Sequence, residues 1–382
     1  MANHILSLYA PQDRTPPGDT LAEALEALGM TQTDLADRVG LHRKTINQII
    51  QGIASITAET ALKLETALGT PAAFWLNLDA NYQEFVARKA QQQKFVLEIE
   101  WLKRIPCKEM VAKNWIPNCP DLAETVQVAL AFFGVTSPDR WEACWTKFTV
   151  RFRKSKLASD DLGLVSAWLR KGELDAQKIP TRPFDAEKFK MALEMIRALT
   201  KTTPEVFLPQ MQALCAGAGV ALVLTPELKR LRVSGAAYWL TKEKALIQLS
   251  LLYKSDDHFW FTFFHEARHI LQEIKHGVFV EGLKDGDADE TDANRFAADF
   301  LVPGDKYAAF VSRADFRAAS VSGFARALGI APGIVVGRLQ HDRVIRFDRL
   351  NDLKRRFVWA TICPQALPPT FNEPAPHSSP KP

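Results

Sequence analysis

Residues 259–271 have the sequence FWFTFFHEARHIL, an apolar run that is interrupted by His265, Glu266 and His269. Two residues four positions apart lie on one face of a helix, so both histidines can hold the same metal ion. Glu266 then lies beside a zinc-activated water and can accept its proton during attack on a peptide carbonyl. The apolar flanks predict a buried helix, where these side chains are costly to desolvate without a metal. The stretch therefore predicts a zinc peptidase motif, the alternative being a surface helix that carries the pattern by chance.

The sequence after the motif offers several carboxylates for the third protein ligand that a catalytic zinc needs. They are Asp285, Asp287, Asp289, Glu290 and Asp292. An amphipathic helix is predicted from Asp292 to Leu301, with a stop signal at Pro303-Gly304. A carboxylate in the first turn of that helix can reach the metal. Spacing alone does not choose among the candidates, and most of the acidic run is expected to be a solvated loop.

The positions that follow the motif form a recognisable pattern. They are Glu290, Ala293-Asn294, Phe296-Ala297-Ala298, Leu301 and Pro303. Together with the His-Glu-x-x-His motif, this pattern resembles the ImmA/IrrE metallopeptidases over about residues 200–345. The resemblance implies that Glu290 is the third zinc ligand, with Asp292 as the second choice. Phe300, where leucine is usual in that family, is a small departure.

Three short segments of the same region are predicted to be strands. Residues 220–224 and 245–249 have the composition of buried strands, and residues 233–240 can form a third. An edge strand in a zinc peptidase typically aligns the substrate backbone by adding it to the sheet. Tyr238, on the third segment, is a candidate to stabilise the oxyanion. Residues 205–345 are therefore expected to form an α+β, zincin-like peptidase domain.

The N-terminal part of the chain carries a second signal. Helices are predicted over residues 20–28, 31–40 and 42–51, with Thr31 or Thr33 as a cap and Gly40 in a tight turn. The helix over residues 42–51 turns its isoleucines inward. Its outward side chains can donate to base edges or phosphates, and they are Arg43, Lys44, Thr45, Asn47 and Gln48. This arrangement is typical of a helix-turn-helix with a recognition helix.

The segments that follow extend this pattern. Residues 55–64 (SITAETALKL) and 68–82 (LGTPAAFWLNLDANY) resemble the XRE-type helix-turn-helix of the HigA/VapI antitoxin family, and the resemblance covers about residues 17–82. It implies that Gln32 contacts the DNA backbone and that the recognition-helix side chains enter the major groove. Operator DNA is the expected partner. A repressor-type protein or a toxin is the expected protein partner.

The charge of this module limits its affinity for DNA. Residues 19–70 contain seven acidic and four basic side chains, so the module is net acidic by three. Because non-specific DNA affinity depends on phosphate neutralisation, a monomer is expected to bind weakly. Specific binding then requires a homodimer on two half-sites. The alternative is a helix-turn-helix that is retained only for protein contacts.

The whole chain has the composition of a multidomain, mainly α-helical protein. It has 382 residues, a net charge of +4 and a hydrophobic fraction of 47%. Its five cysteines are scattered and unpaired in spacing, which favours a reducing compartment. No signal peptide or membrane-spanning segment is predicted, so a cytoplasmic location is expected. The cysteines are Cys107, Cys119, Cys144, Cys215 and Cys363.

The predicted organisation has five parts. These are a tail (1–16), the all-α helix-turn-helix domain (17–82), a helical middle region (83–204), the peptidase domain (205–345) and an extension (346–382) that is disordered from 364. The tryptophans of the middle region are expected to fill its core. The basic run over residues 151–156 is expected to be a solvated face rather than a phosphate contact.

The two ends together predict a transcription regulator that carries a zinc endopeptidase. In the ImmA/IrrE family such peptidases cleave repressor-type proteins, and the substrate here is expected to be such a protein or the chain itself. The alternative is an antitoxin-like autorepressor of a toxin–antitoxin operon, in which the peptidase fold senses or dimerises. The presence of Glu266 favours the first reading, since a purely structural fold does not require it.

Overall fold

The computed structural model describes residues 14–152, 162–275 and 287–362. The chain divides into two units, Met1–Leu97 and Glu98–Pro382. Most of the predicted tail, residues 153–156 of the basic run, Asp285 and the predicted disordered stretch from 364 lie outside the described residues. The expected mainly helical, multidomain architecture is confirmed for the parts that the structure describes.

The described part of the first unit is all helical. Its helices are α1 (Pro17–Ala27), α2 (Gln32–Val39), α3 (Arg43–Ile50), α4 (Ala58–Leu68) and α5 (Ala72–Leu97). Thr31 caps α2 through a reciprocal capping box with Asp34, and Gly40 ends it in the left-handed conformation with φ of 63°. Leu35, Ile46 and Leu64 are fully buried in the core between the helices. Helix α5 continues through the predicted boundary at residue 82.

The second unit combines helices with a small sheet. Its helices are α6 (Cys107–Ala112), α7 (Leu122–Phe133), α8 (Pro138–Phe152), α9 (Leu162–Gln177), α10 (Ala186–Ala198), α11 (Pro204–Gly217), α12 (Asp256–Lys275), α13 (Asp287–Leu301), α14 (Gly304–Val311), α15 (Ala318–Leu328), α16 (Pro332–His341) and α17 (Trp359–Ile362). Short 3-10 turns occupy Ile99–Arg104, Leu199–Lys201 and Asn351–Leu353. Trp101, Trp141, Trp145 and Trp168 are buried, which confirms their expected core role, while Trp115 is half-buried.

The sheet contains β1 (Val220–Leu224), β2 (Gly235–Thr241) and β3 (Lys244–Leu249) in the order β1-β3-β2. β1 and β3 are parallel, whereas β2 and β3 form an antiparallel hairpin with a register irregularity after Trp239. Helix α12 contacts β2 and β3, and α9 contacts β1 and β3. In this strand order β2 lies at an edge of the sheet, and it corresponds to the third predicted strand.

Helices α12 and α13 pack against each other. Helix α13 begins at Asp287, five residues before the predicted start at Asp292. Asp287, Asp289 and Glu290 of the acidic run therefore belong to the helix and not to the solvated loop that the sequence predicts. This earlier start places Glu290 within the helix.

In the described part of the chain, no single helix is long and apolar enough to cross a lipid bilayer. Helices α15 and α16 meet the length and composition limits only as a pair, which is bent by 112°. Both helices contribute fully buried side chains to the core of the second unit, among them Val321 and Val335.

Candidate metal centre and helix-turn-helix surface

Helix α12 places its motif at the border between core and solvent. Trp260, Phe263 and Phe264 are fully buried, which confirms the predicted buried helix. His265 and His269 lie on the face that meets α13, with side chains 14% and 20% exposed. The apolar face holds the helix in the core, while the two histidines remain accessible to an ion.

Glu290 of α13 lies against both histidines. Its Oε2 is 3.4 Å from His265 Nε2, and its Oε1 is 3.3 Å from His269 Nε2. The two Nε2 atoms are 3.1 Å apart, and all three ligand atoms lie within 4.8 Å of one another. Two imidazole nitrogens and one carboxylate oxygen are a donor set typical of catalytic zinc sites. The three residues therefore fit a zinc ion that keeps a coordination position free.

Two amide side chains orient the histidine rings. His265 Nδ1 lies 3.1 Å from Asn294 Oδ1, and His269 Nδ1 lies 3.2 Å from Gln272 Oε1. Because an amide oxygen only accepts, each Nδ1 carries the proton and donates it. In the neutral imidazoles that a metal requires, each Nε2 would then present its lone pair to the ion. Neither Asn294 nor Gln272 is among the site residues that the sequence predicts, although the spacing of three residues between Gln272 and His269 places both on one helix face.

Asp292 has different partners. Its Oδ2 accepts hydrogen bonds from Arg268 Nε at 2.7 Å and from Gln272 Nε2 at 2.9 Å. The hydrogen bond from Arg268 is the main reason why the pKa of Asp292 is lowered. Gln272 also donates to the backbone carbonyl of Asp289. Of the two candidate third ligands, the geometry therefore favours Glu290, while Asp292 supports the amide that orients His269.

The three groups of the centre are electrostatically coupled. Burial by itself lowers the pKa of His269, but hydrogen bonding to Glu290 and the charges of Glu266 and Glu290 raise it to about 9. The same contacts hold the pKa of Glu290 well below its usual range. A metal that binds here must therefore displace a proton from His269 at neutral pH.

Glu266 is buried beside the edge strand. Its side chain is 8% exposed, and burial raises its pKa. A Cβ atom added to Gly235, the first residue of β2, would lie 2.9 Å from Glu266 Cγ and Oε1 and 2.7 Å from Thr262 Cγ2. The glycine thus leaves room for the carboxylate between α12 and β2. Sequence reasoning missed this role of Gly235, because the contact joins residues far apart in the chain.

Replacing Gly235 with alanine is expected to displace the Glu266 carboxylate without touching a metal ligand. Misplacement of a reacting group by about 1 Å costs on the order of a hundredfold in rate, so a reaction in which Glu266 takes part should slow roughly tenfold to a hundredfold. Zinc content, measured by atomic emission, should stay at the wild-type level. As a control, Gly323→Ala introduces a Cβ that meets nothing within 4 Å and should leave the rate of that reaction unchanged. Equal rates in both variants would contradict this role of Gly235.

The structure does not place Tyr238 at the centre. Side chains alternate along a strand, so Tyr238 points to the face opposite that of Gly235. Its hydroxyl donates to the backbone carbonyl of Leu169 in α9 at 3.3 Å, and the side chain is buried. The expectation that Tyr238 stabilises an oxyanion is therefore wrong.

In the first unit, α2 and α3 have the predicted geometry. Ile46 and Ile49 of α3 are buried, while Arg43 and Lys44 are exposed at its start and form no ion pair with the described residues. Four further predicted contact residues are half-buried, and these are Gln32, Thr45, Asn47 and Gln48. The two exposed cations at the N-terminus of α3 provide the surface for an anionic partner.

The comparisons with known proteins concern this first unit. A helix-turn-helix family model matches residues 21–75. The antitoxin HigA-1 of Vibrio cholerae is 40% identical over 76 residues, which are 19% of this chain and 71% of the antitoxin. Through this region the chain belongs to the HigA-type helix-turn-helix family. The predicted HigA-like helix-turn-helix is confirmed.

Further relatives match the HigA-type region over similar lengths. The uncharacterised helix-turn-helix regulator YbaQ of Escherichia coli is 36% identical over 72 residues, which are 19% of this chain and 64% of YbaQ. The structure of an addiction-module antidote protein of the HigA family from Coxiella burnetii has 38% sequence identity and a TM-score of 0.21. It is matched over 22% of this chain and 96% of its own.

Proposed function

We propose that the chain is a DNA-binding transcription regulator whose second unit is a zinc-dependent endopeptidase of the ImmA/IrrE type. The observation that carries the proposal is the convergence of His265, His269 and Glu290 beside the buried Glu266. Three protein ligands leave one zinc coordination position for a water or a substrate. The substrate is a repressor-type protein or the chain itself, and its cleavage changes gene expression.

In this proposal, the chain's own residues divide the chemistry among them. When bound, zinc would activate a water molecule and polarise the peptide carbonyl. Glu266 accepts the proton of the attacking water and delivers it to the leaving amine, and its raised pKa makes it a stronger base. The outer edge of β2 can pair with an extended substrate backbone beside Glu266.

A comparison of cellular protein N-termini tests the proposal. Cells that make the wild-type chain should contain new N-termini that are missing from cells that make Glu266→Gln at the same level. The substitution removes the base and retains the three proposed ligands, so the difference reports cleavage rather than folding or metal loss. Identical sets of N-termini under every stress condition would contradict the peptidase proposal.

The first unit supplies DNA binding in this proposal. Arg43 and Lys44 contact the phosphates and base edges of an operator, Thr45, Asn47 and Gln48 lie along the same recognition helix, and Gln32 contacts the backbone. Because the module is net acidic by three, tight binding requires a homodimer on two half-sites. The helix-turn-helix then brings the peptidase to a DNA-bound repressor, or cleavage of the chain releases it from the operator.

Lys44→Ala is expected to weaken binding to an operator selected from a random duplex library. Removal of one phosphate contact should lower affinity roughly tenfold and reduce the slope of log affinity against log salt by about one. Lys63→Ala is the matched control, because Lys63 pairs with Glu59 on α4 at 2.8 Å. Fluorescence anisotropy at several salt concentrations gives both quantities. An unchanged salt slope for Lys44→Ala would show that Lys44 does not contact a phosphate.

A second candidate is an antitoxin-like autorepressor, and the similarity to the antitoxin HigA-1 favours it. Here the first unit represses its own operon together with a toxin, and the second unit senses a signal or dimerises. A toxin gene next to the coding sequence would favour this candidate. Repression and toxin neutralisation should then be the same for the wild type and for Glu266→Gln, whereas the peptidase proposal requires a difference in cleavage.

A further inference from the structure

The segment that follows α16 and its connecting loop lies along the start of the metal-site helix. The backbone N–H of Asp256 donates to the carbonyl of Arg355 at 2.9 Å, and that of Phe357 donates to the carbonyl of Lys254 at 2.9 Å. Ser255 and Arg356 form an antiparallel bridge between these bonds. We call residues 354–357 the C-terminal strap. It belongs to the extension beyond residue 345 and outside the span of the peptidase resemblance.

Two ion pairs connect the strap to the first turn of α12. Lys354 Nζ lies 2.7 Å from Asp257 Oδ2 and 2.7 Å from Gln340 Oε1 of α16. Arg355 Nε lies 3.2 Å from Asp256 Oδ2. Asp256 is fully buried and Asp257 is 7% exposed. A buried carboxylate is strongly destabilising without a paired cation. The two carboxylates in the first turn of α12 therefore depend on the strap for charge neutralisation.

Helix α16 leaves room for both carboxylates. A Cβ atom on Gly333 would lie 2.4 Å from Asp256 Oδ1, and one on Gly337 would lie 2.6 Å from Asp257 Oδ2. The two glycines are four residues apart and therefore lie on one face of α16. The carboxylates are thus held between the glycine face of one helix and the cations of the strap.

The strap also contacts the segment that follows α10 and an aromatic cluster. The guanidinium of Arg355 donates to the backbone carbonyls of Thr200 and Thr202, which follow α10. Phe357 is 3% exposed and packs with Phe207 and Phe259, at ring-centroid distances of 5.6 and 5.5 Å. The planar guanidinium matches several acceptors at once, which a lysine ammonium at this position would not do.

From these contacts we infer that Lys354 and Arg355 are positioning residues of the metal centre. His265 follows Asp256 by nine residues, which is about 13 to 14 Å along a helix. A shift of the first turn therefore moves His265 and Glu266 relative to Glu290 and Gly235, because a packed helix moves as a stiff body. Zinc coordination tolerates distance errors of only about 0.2 Å. This inference rests on the proposed zinc site. It holds that the strap fixes the geometry of that site.

The test measures zinc affinity of the full-length chain by competition with a chelator, and the absorption spectrum after loading with cobalt. Lys354→Met should bind zinc roughly tenfold or more weakly and show an altered cobalt spectrum, at a temperature where its circular dichroism equals that of the wild type. Arg346→Ala is the control. It removes a cation of the same extension whose side chain is 81% exposed and pairs with Asp348 at 2.8 Å. Its zinc affinity and cobalt spectrum should match those of the wild type.

Two further variants separate positioning from general stability. Arg355→Lys keeps the charge but loses the multiple carbonyl contacts, so it should also weaken zinc binding and can be measured if Lys354→Met does not fold. Asp257→Asn added to Lys354→Met removes the unpaired carboxylate and should restore most of the lost affinity. If both Lys354→Met and Arg355→Lys bind zinc with wild-type affinity, the inference about the strap is overturned, while the proposed zinc site stands. A wild-type chain that binds no zinc would contradict the proposed function, and the inference with it.

Discussion

Purified Glu266→Gln is expected to retain one zinc ion per chain while it loses cleavage by about 10²- to 10⁴-fold, the range for a general base. Glutamine has the shape of glutamate but does not accept the proton of an attacking water. His265, His269 and Glu290 are untouched, so the metal stays. The substitution also replaces a buried carboxylate whose pKa is already raised, so we expect the folded state to tolerate it.

The measurement uses the substrate that N-terminal mapping identifies, with zinc content determined on the same samples. Asp305→Asn is the matched control, because it also converts an acid to an amide but lies exposed on α14. It should cleave at the wild-type rate. A Glu266→Gln protein that cleaves within threefold of the wild type would show that another group is the base.

Glu290→Ala is expected to remove zinc, whereas Asp292→Ala should only weaken its binding. Glu290 provides one of the three proposed ligand atoms, so its loss should reduce affinity by more than about a hundredfold, beyond what the loss of an outer hydrogen-bonding partner causes. Asp292 bonds to Gln272 and Arg268 and lies outside the proposed ligand set, so its substitution should cost roughly tenfold to a hundredfold. Competition with a chelator measures both affinities.

Which of the two variants, Glu290→Ala or Asp292→Ala, binds zinc more weakly decides which residue is the third ligand. If Asp292→Ala binds zinc more weakly than Glu290→Ala, the order is reversed and Asp292 is the third ligand. Asp299→Ala, on the same helix but at an exposed position, is the control for a general effect of charge on α13. It should bind zinc as the wild type does.

The local features of the fold were accessible from the sequence because short-range interactions determine them. Thr31 and Gly40 mark the ends of α2 by capping and by a left-handed turn. The apolar flanks of the motif correctly predicted that α12 is buried, and β-branched and aliphatic runs correctly predicted the three strands. The proposed ligands His265 and His269 follow from a spacing of four residues, which any α-helix brings to one face.

The choice of the third ligand and the role of Tyr238 could be decided only once it was known which face of α13 and which face of β2 each residue occupies. Glu290 and Asp292 are separated by about 200° around a helix, so only one can face the histidines. The sequence did not show where α13 begins, and spacing alone therefore left both open. Tyr238 is three residues from Gly235, an odd separation that puts the two on opposite faces of a strand. That parity could have been used to exclude Tyr238 once Gly235 was known to face α12.

Contacts between distant segments were beyond sequence reasoning. Neither Gly235 beside Glu266 nor Arg355 beside Asp256 follows from a local pattern, because each pair depends on how whole elements pack. The sequence separation of Arg355 and Asp256, 99 residues, illustrates the point. Such contacts are recovered only when the sheet order and the helix positions are known.

The sheet also has a practical consequence for how the second unit can be produced. Gln248, the fifth residue of β3, is buried and donates to the backbone carbonyl of Trp168 on α9 at 2.7 Å and to Thr225 at 2.9 Å. A fragment limited to residues 200–345 would strip α9 from one face of the sheet, leaving Gln248 without that acceptor and apolar strand residues open to water. Soluble expression of the metal centre should therefore require a fragment that begins before α9, near residue 98, and runs at least to residue 362.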